Sequence, residues 1–278
     1  MVTSEMPVEN RAGADIYHTV LGDGPRQALM LHCSLAHSGA WRGVAKLLGD
    51  EATMTAFDHL SHGKSAVWDG EEDFHDASTA VAKSFLKTGE KIDLIGHSFG
   101  ATVALRLALE CPEMVRSVVL IEPVLFAIAR LDDPEYAEIH LAEMKRISDF
   151  IAAGDNASAA QSFLGIWGGG PPWNAMPEAM RKMMEAQIPL IPASEPAIYL
   201  DRANLTDEAR LSAMEMPVLL LRGSTSPKGI KTVNDGLERR MGDADNLVIE
   251  GAGHMAPISH PKQTAELISA FWAGLRLT

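Results

Sequence analysis

The sequence predicts an α/β fold in which a mostly parallel sheet is covered by helices on both faces. Two observations lead to this prediction. Short runs of buried, apolar residues alternate along the chain with segments of helical periodicity. One of these runs ends in a glycine-flanked serine turn that leads directly into a helix. In such folds the functional side chains collect beyond the carboxyl ends of the strands.

The composition limits the function classes. The 278 residues are enough for one large α/β domain, alone or with an insertion. The formal charge of −13 argues against nucleic-acid partners and anionic membrane surfaces, which repel such a protein. Cys33 and Cys111 make no disulfide framework and suit a reducing compartment. Residues 1–15 are too polar and acidic for a signal peptide, and no apolar run reaches membrane-spanning length. We therefore predict a cytoplasmic protein with a small-molecule substrate and leave its oligomeric state open.

The first predicted elements follow the chain in order. Residues 22–25, Gly-Asp-Gly-Pro, are typical of a hairpin turn between strands 16–21 and 28–31. Ser38 is expected to cap the next helix, which carries Trp41 and Val44. A strand at 53–57 and a helix at 76–87 complete this part of the chain.

The remaining elements define a core and an insertion. A strand at 92–95 leads into a helix that Pro112 ends, and further strands are predicted at 117–121, 217–221 and 246–249. Between about 126 and 207 the pattern changes to helices broken by Gly and Pro, including helices at 136–151 and 177–186. We predict a core of residues 1–126 and 208–278, with a helical cap of residues 127–207 inserted after the strand that ends at Ile121.

The turn after the strand at 92–95 carries the first functional residue. It reads Gly96-His97-Ser98-Phe99-Gly100, a Gly-x-Ser-x-Gly pattern between a strand and a helix. This context is that of a nucleophile elbow. The serine takes strained backbone angles, so the residues two positions away must lack a β-carbon for strand and helix to pass closely. The elbow predicts Ser98 as a nucleophile.

With these elements placed, the chain resembles the α/β-hydrolase family over nearly its full length. Four features in the family's order carry the resemblance: residues 32–34, residues 58–65, residues 96–100 and Gly253-His254. The resemblance implies a mostly parallel α/β-hydrolase sheet with an inserted helical cap and no cofactor. It also implies a serine hydrolase that cleaves an ester, thioester or lactone of a small, largely apolar substrate through an acyl-enzyme.

The resemblance assigns the general base and the oxyanion hole. His254 follows the last strand, where this family carries the base that activates the serine. The backbone N–H groups of Ser34 and Phe99 are expected to form the oxyanion hole. Family members usually have glycine where this chain has Cys33. We interpret Cys33 as a small buried residue rather than a reactive thiol, because no second signal supports a cysteine nucleophile.

The acid departs from the commonest pattern of the family. The position that usually holds Asp, after the strand at 217–221, holds Ser226. Some members place the acid after the preceding core strand, and in this chain that position is Glu122. We therefore predict Glu122 as the acid that orients His254. Asp235 is a weaker candidate because it is expected within a helix, and a Ser-His pair without an acid remains an alternative.

Several other side chains are expected near the same edge of the sheet. His97, Leu35, Trp167 and Met255 are the predicted substrate-binding residues. His59 and His62 have a spacing that zinc accepts, but no matching set of ligands accompanies them, so no metal is predicted. Asp58 is expected to brace the loop that contains them. Methionines share one face of the predicted helix at 177–186, where we expect packing under a cap that also covers the cleft: Met176, Met180, Met183 and Met184.

Two other function classes use the same residues. Hydrolases of C–C bonds and cofactor-free perhydrolases of this family share the serine, histidine and acid. A ligand-binding protein built on a degenerate hydrolase is a further alternative, motivated by Ser226 and Cys33. It would bind without turnover, and a fluorophosphonate would then leave Ser98 unmodified.

Overall fold

The computed structural model describes residues 8–275. The first seven residues of the polar N-terminal segment, which was predicted not to be a signal peptide, lie outside this range. So do the last three residues of the predicted core.

Seven strands form the central sheet, and two short ones pair separately. The small antiparallel pair consists of β1 (Glu9–Arg11) and β2 (Ala14–Ile16). The strands of the large sheet are β3 (His18–Leu21), β4 (Arg26–Leu31), β5 (Ala52–Phe57), β6 (Ile92–His97), β7 (Val115–Ile121), β8 (Val218–Gly223) and β9 (Ala244–Ile249). Their spatial order is β3-β5-β4-β6-β7-β8-β9. Only β3 is antiparallel to its neighbour, so the predicted mostly parallel sheet is confirmed.

Helices connect the strands and cover the sheet. In the described residues the α-helices are α1 (Arg42–Leu48), α2 (Phe74–Lys83), α3 (Phe99–Glu110), α4 (Phe126–Asp132), α5 (Pro134–Ala152), α6 (Asn156–Trp167), α7 (Glu178–Gln187), α8 (Leu190–Ile198), α9 (Glu208–Ser212), α10 (Lys228–Arg240), α11 (Ala256–Ser259) and α12 (Pro261–Gly274). None of the helices between residues 8 and 275 is long and apolar enough to cross a bilayer.

The core lies on both faces of the sheet because successive strand residues point in opposite directions. On β7, Val118 and Leu120 pack in the cluster that includes α2, α3 and α10, whereas Val119 and Ile121 pack in the cluster that includes α1 and α12. Burial on both sides explains why these strands read as continuous apolar runs. The carboxyl ends of β6 and β7 are thereby held at fixed positions beside each other.

The N-terminal strands differ from the prediction. The expected strand at 16–21 is divided at Tyr17, whose N–H donates to Ser65 Oγ rather than to a neighbouring strand. The expected hairpin is wrong, because β5 lies between β3 and β4. The turn at residues 22–25 instead packs against the end of α1, where the N–H groups of Asp23 and Gly24 donate to the Gly49 carbonyl.

Two helix starts also differ. The helical turn at Ser38–Trp41 is capped by the His37 side chain, which accepts from Gly39 N–H, and not by Ser38. The helix expected at 76–87 begins at Phe74, because the Asp73 carboxylate accepts from the N–H groups of His75 and Asp76, and it ends at Lys83. A carboxylate at this position satisfies donors that have no partner within the helix.

A run of helices, α4 to α9, separates β7 from β8. No strand interrupts it between residues 122 and 217. Part of this segment has its own apolar cluster, which includes Met144, Ile147 and Ile188 and which Leu35 joins from the sheet side. The division into a core and a cap of residues 127–207 remains a prediction.

Candidate active site

Ser98 occupies the turn between β6 and α3. Its φ of 55° and ψ of −117° lie outside the regions that residues with a β-carbon favour. The turn is possible because the flanking glycines admit the neighbouring backbone: a β-carbon on Gly100 would lie 2.3 Å from the Leu31 carbonyl oxygen, and one on Gly96 would lie 2.4 Å from the Gly100 oxygen. The requirement for glycine therefore follows from the close passage of α3 over β4.

His254 lies directly beside this serine. Its Nε2 is 3.0 Å from Ser98 Oγ, and its Nδ1 is 2.9 Å from Glu122 Oε2. Because an ionised carboxylate only accepts, Nδ1 carries the proton in the neutral ring and Nε2 is the acceptor that faces the serine hydroxyl. That is the tautomer a general base requires.

Glu122 follows β7 and is held from several directions. Its backbone has a φ of 53°, and its N–H donates to the Leu221 carbonyl, which joins it to β8. Oε1 accepts from Gly223 N–H at 2.5 Å and from Ser226 Oγ at 2.7 Å. Ser226, which occupies the position where the family usually has Asp, is thus a hydrogen-bond partner of Glu122. The carboxyl group is fully buried, with one oxygen aimed at His254.

The contacts of this carboxylate decide its charge. Burial alone raises the pKa of Glu122, but the hydrogen bonds from His254, Ser226 and Gly223, together with the charge on His254, outweigh it and hold the pKa below its ordinary value. The carboxylate is therefore ionised at neutral pH. A buried anion against Nδ1 stabilises the imidazolium that forms when His254 accepts a proton.

His97 holds His254 from behind. Its Nε2–H donates to the His254 carbonyl oxygen at 2.8 Å, and burial, together with the charge on His254, lowers the pKa of His97 to about 3. It lines neither of the two cavities that reach Ser98. Its ring nitrogen fixes the loop of His254, and the role of His97 in substrate binding stays a prediction.

The loop after β5 is a brace. Asp58 accepts from Ser38 N–H at 2.7 Å and from Lys64 N–H at 2.8 Å, as the sequence predicted. His62 Nε2 accepts from Leu35 N–H at 3.1 Å, which positions the chain immediately after Ser34.

Burial lowers the pKa of His59 to about 3, and neither of its ring nitrogens has a hydrogen-bond partner among the described residues. No group of three His, Cys, Asp or Glu between residues 8 and 275 is arranged to bind a metal ion.

The two residues predicted to form the oxyanion hole, Ser34 and Phe99, line a cavity that also reaches Ser98. Phe99 is the first residue of α3, so its N–H belongs to the set that has no partner within the helix. Ser34 lines both cavities beside Ser98. Next to it, burial raises the pKa of the Cys33 thiol to about 12, which leaves the sulfur protonated and a poor nucleophile.

Two cavities meet at Ser98, Ser34 and His254. The outer cavity has a volume of about 260 Å³ and a mostly apolar lining. It contains the predicted residues Leu35, Trp167 and Met255, and Met176, Met180 and Met184 from the methionine face. Because Met180 and Ile258 are partly exposed, this cavity reaches the surface.

The inner cavity is narrower, at about 30 Å³, and is lined by Phe99, Val124 and Phe126 together with side chains of α5, α6 and α8. Trp167 lines both cavities, and its ring is edge-on to His254 at 4.8 Å between centroids. Sequence reasoning missed the inner-cavity residues that α5 and α8 contribute, among them His140, Met144 and Glu195. They belong to helices whose packing direction no local pattern reveals.

The weaker candidate for the acid, Asp235, lies elsewhere. Asp235 is on α10, where its carboxylate pairs with Lys231 and accepts from Asn246. Ser226, at the position where the family usually has the acid, donates to Glu122 Oε1. The structure thus brings Ser98, His254 and Glu122 into one hydrogen-bonded series.

Comparison with known proteins identifies the family. Residues 28–267 match the model of the Alpha/beta hydrolase family. The chain belongs to this family. The predicted family and fold class are confirmed, and so is the prediction that the protein is an α/β-hydrolase enzyme acting on ester-type bonds.

Named relatives cover most of the chain. A pimeloyl-[acyl-carrier protein] methyl ester esterase from Nitrosomonas europaea is 28% identical over 92% of this chain and 99% of its own length. Lipase LipV from Mycobacterium tuberculosis is 27% identical over 88% of this chain and 92% of its own. The crystal structure of an α/β hydrolase from Sphaerobacter thermophilus superposes with a TM-score of 0.71 at 21% identity, covering 96% of this chain and 99% of that one. At that identity the structural likeness concerns the fold alone.

Proposed function

We propose that this protein is a serine esterase that hydrolyses esters of small, largely apolar carboxylic acids through an acyl-enzyme. The observation that carries the proposal is the position of His254, with Nε2 3.0 Å from the Ser98 hydroxyl and Nδ1 2.9 Å from a buried carboxylate. Relatives named as esterases and as a lipase support the same reaction class.

The first half of the reaction acylates the serine. The Ser98 hydroxyl attacks the ester carbonyl carbon while His254 Nε2 takes its proton. The imidazolium is stabilised by Glu122 and then gives its proton to the departing alcohol. His97 holds the backbone of His254, so the His254 ring stays within hydrogen-bond distance of Ser98 and Glu122. In the second half, His254 activates a water that releases the acid.

The tetrahedral intermediate needs donors for its oxyanion. The N–H groups of Ser34 and Phe99 are the proposed pair, and the N-terminus of α3 adds its partial positive charge. Each donor of this kind is worth about 3 kcal/mol of transition-state stabilisation.

The outer cavity is the proposed site of the longer, apolar arm of the ester. Its methionine and tryptophan lining suits an alkyl chain, and methionine adapts to chains of different shape. Each buried methylene contributes about 0.8 kcal/mol, or a factor of roughly four in binding. We expect kcat/KM for p-nitrophenyl esters to rise by about this factor per carbon until the cavity is filled.

A series of p-nitrophenyl esters from acetate to decanoate tests this proposal. The wild-type protein should hydrolyse them with a maximum at an intermediate length, and Ser98→Ala should abolish the activity while keeping the thermal melting point. Hydrolysis that survives in Ser98→Ala would contradict the serine mechanism. Binding without turnover by the wild-type protein would instead favour a non-catalytic homologue.

A further inference from the structure

Two polar side chains that line the inner cavity, His140 and Glu195, carry buried atoms without hydrogen-bond partners among residues 8–275. His140 on α5 is almost fully buried, and neither of its ring nitrogens has a partner among the described residues. Glu195 on α8 lines the same cavity, and its buried Oε1 also lacks a partner. Buried polar atoms are nearly always paired in folded proteins, so unpaired atoms on two side chains of one cavity can bind a polar group of a ligand.

The pair does not satisfy itself. His140 Nε2 and Glu195 Oε1 are 3.8 Å apart, which is too long for a hydrogen bond. The imidazole is fixed between two aromatic rings, Phe126 with its centroid at 4.0 Å and Tyr199 at 5.7 Å. The other hydroxyl at this end of the cavity, that of Ser194, already donates to the Ile191 carbonyl.

We propose that His140 and Glu195 form a subsite for a hydroxyl group carried by the substrate. One hydroxyl oxygen at about 2.8 Å from each atom accepts from a ring N–H of His140 and donates to Glu195 Oε1. This oxygen lies to one side of the line that joins the two atoms and supplies the hydrogen bonds that they do not make to each other. An apolar group there would leave both polar atoms unpaired, so the subsite also disfavours a plain hydrocarbon arm.

The cavity places this hydroxyl relative to the ester. The inner cavity also contains Ser98 and His254, so its occupant is continuous with the reacting carbonyl. A volume of about 30 Å³ admits only a short arm. The inference rests on the proposed esterase function and deepens it: a short hydroxylated arm enters the inner cavity while the apolar arm lies in the outer one.

Isosteric ester pairs test the subsite from both sides of the ester bond. Methyl 3-hydroxybutanoate is compared with methyl 3-methylbutanoate, and 2-hydroxyethyl butanoate with propyl butanoate. In one of the two pairs the wild-type protein should prefer the hydroxylated ester by about tenfold in kcat/KM. This factor is what one or two hydrogen bonds to otherwise unpaired atoms of His140 and Glu195 contribute. Equal or lower kcat/KM for both hydroxylated esters would overturn the proposal.

Variants assign any preference to the two side chains. His140→Phe and Glu195→Met should each bring the ratio of kcat/KM between the hydroxylated ester and its isostere close to one. Met144→Leu, in the same cavity, should leave this ratio unchanged. Glu195 is less buried than His140, so its variant is the safer test should His140→Phe unfold. A preference that persists in both variants would place the hydroxyl elsewhere.

Binding to Ser98→Ala separates this proposal from the esterase proposal. The same ester pairs are titrated into that variant, and the change in total tryptophan fluorescence, to which Trp167 contributes from the lining of both cavities, reports binding. Tighter binding of a hydroxylated ester, lost in Ser98→Ala/Glu195→Met, supports the subsite even if the wild-type protein hydrolyses neither. Hydrolysis of both esters at equal rates, with equal affinities, refutes the subsite and leaves the esterase proposal intact.

Discussion

Replacing Glu122 by glutamine tests the proposed acid through the tautomer of His254. Oε1 of Glu122 accepts from Gly223 N–H and Ser226 O–H, whereas Oε2 faces His254 Nδ1. Gly223 N–H can only donate, so the amide oxygen of glutamine takes the Oε1 position. The amide NH₂ then faces His254, and because it too only donates, Nδ1 has to lose its proton. Nε2 then carries the proton and cannot accept one from Ser98.

The expected loss is large. A triad with an amide in place of its acid loses about 10⁴ in kcat because the imidazole adopts the wrong tautomer. That factor corresponds to about 5.4 kcal/mol in the activation free energy. Ser226→Ala is the matched control: it removes one of the two hydrogen bonds to Oε1 but keeps the carboxylate, and we expect a loss of no more than about tenfold.

The assay is kcat for p-nitrophenyl butanoate, with the melting temperature measured beside it to show that each variant is folded. A reduction of less than tenfold in folded Glu122→Gln would refute the role of the carboxylate and favour a Ser-His pair. An equally large loss of kcat in Ser226→Ala would show instead that any disturbance of the hydrogen bonds around Glu122 is enough to abolish activity.

Further predictions concern stability and specificity. Because the unfolded chain protonates His59 near pH 6.5 and burial lowers its folded pKa to about 3, its contribution to stability falls as pH drops below 6.5. In urea titrations the free energy of unfolding should therefore fall by about 2 kcal/mol less between pH 7.5 and pH 5 in His59→Phe than in the wild-type protein. An equal fall in the two proteins would contradict this prediction. Gly100→Ala should prevent folding or lower the melting temperature severely, since its β-carbon meets the Leu31 carbonyl, whereas Gly165→Ala, in open space on α6, should stabilise by up to about 1 kcal/mol. Met176→Ala enlarges the outer cavity, and the preferred acyl chain should become longer by one or two carbons; a shorter optimum would contradict the assignment of that cavity.

Local chemistry made much of the fold and site predictable. The strands that carry the site are buried on both faces and read as apolar runs, and the elbow is recognisable because its glycines are required by sterics. Ser98, His254 and Glu122 each follow a strand, so their strand assignments alone placed them at one edge of the sheet. Glu122 was predicted as the acid because Ser226 cannot ionise and because the resembled family offers a second position for the acid, after the preceding core strand.

The parts that the sequence did not reveal depend on tertiary packing. The turn at residues 22–25 has hairpin chemistry, but the sheet inserts β5 between its two strands. His97 stands beside the nucleophile in the chain, yet the direction of its ring, toward the His254 carbonyl, is set by the loop that returns from β9. His140 and Glu195 are 55 residues apart on helices that meet only after the segment packs, and nothing in their local sequence indicates a shared cavity.

Trapping with a fluorophosphonate tests the central claim most directly. The wild-type protein should gain one phosphonyl group, and peptide mapping should place it on Ser98. Labelling should be absent in Ser98→Ala and slower by orders of magnitude in His254→Ala, because the hydroxyl then has no base within reach. A wild-type protein that stays unmodified, or that carries the label on another residue, would contradict the account.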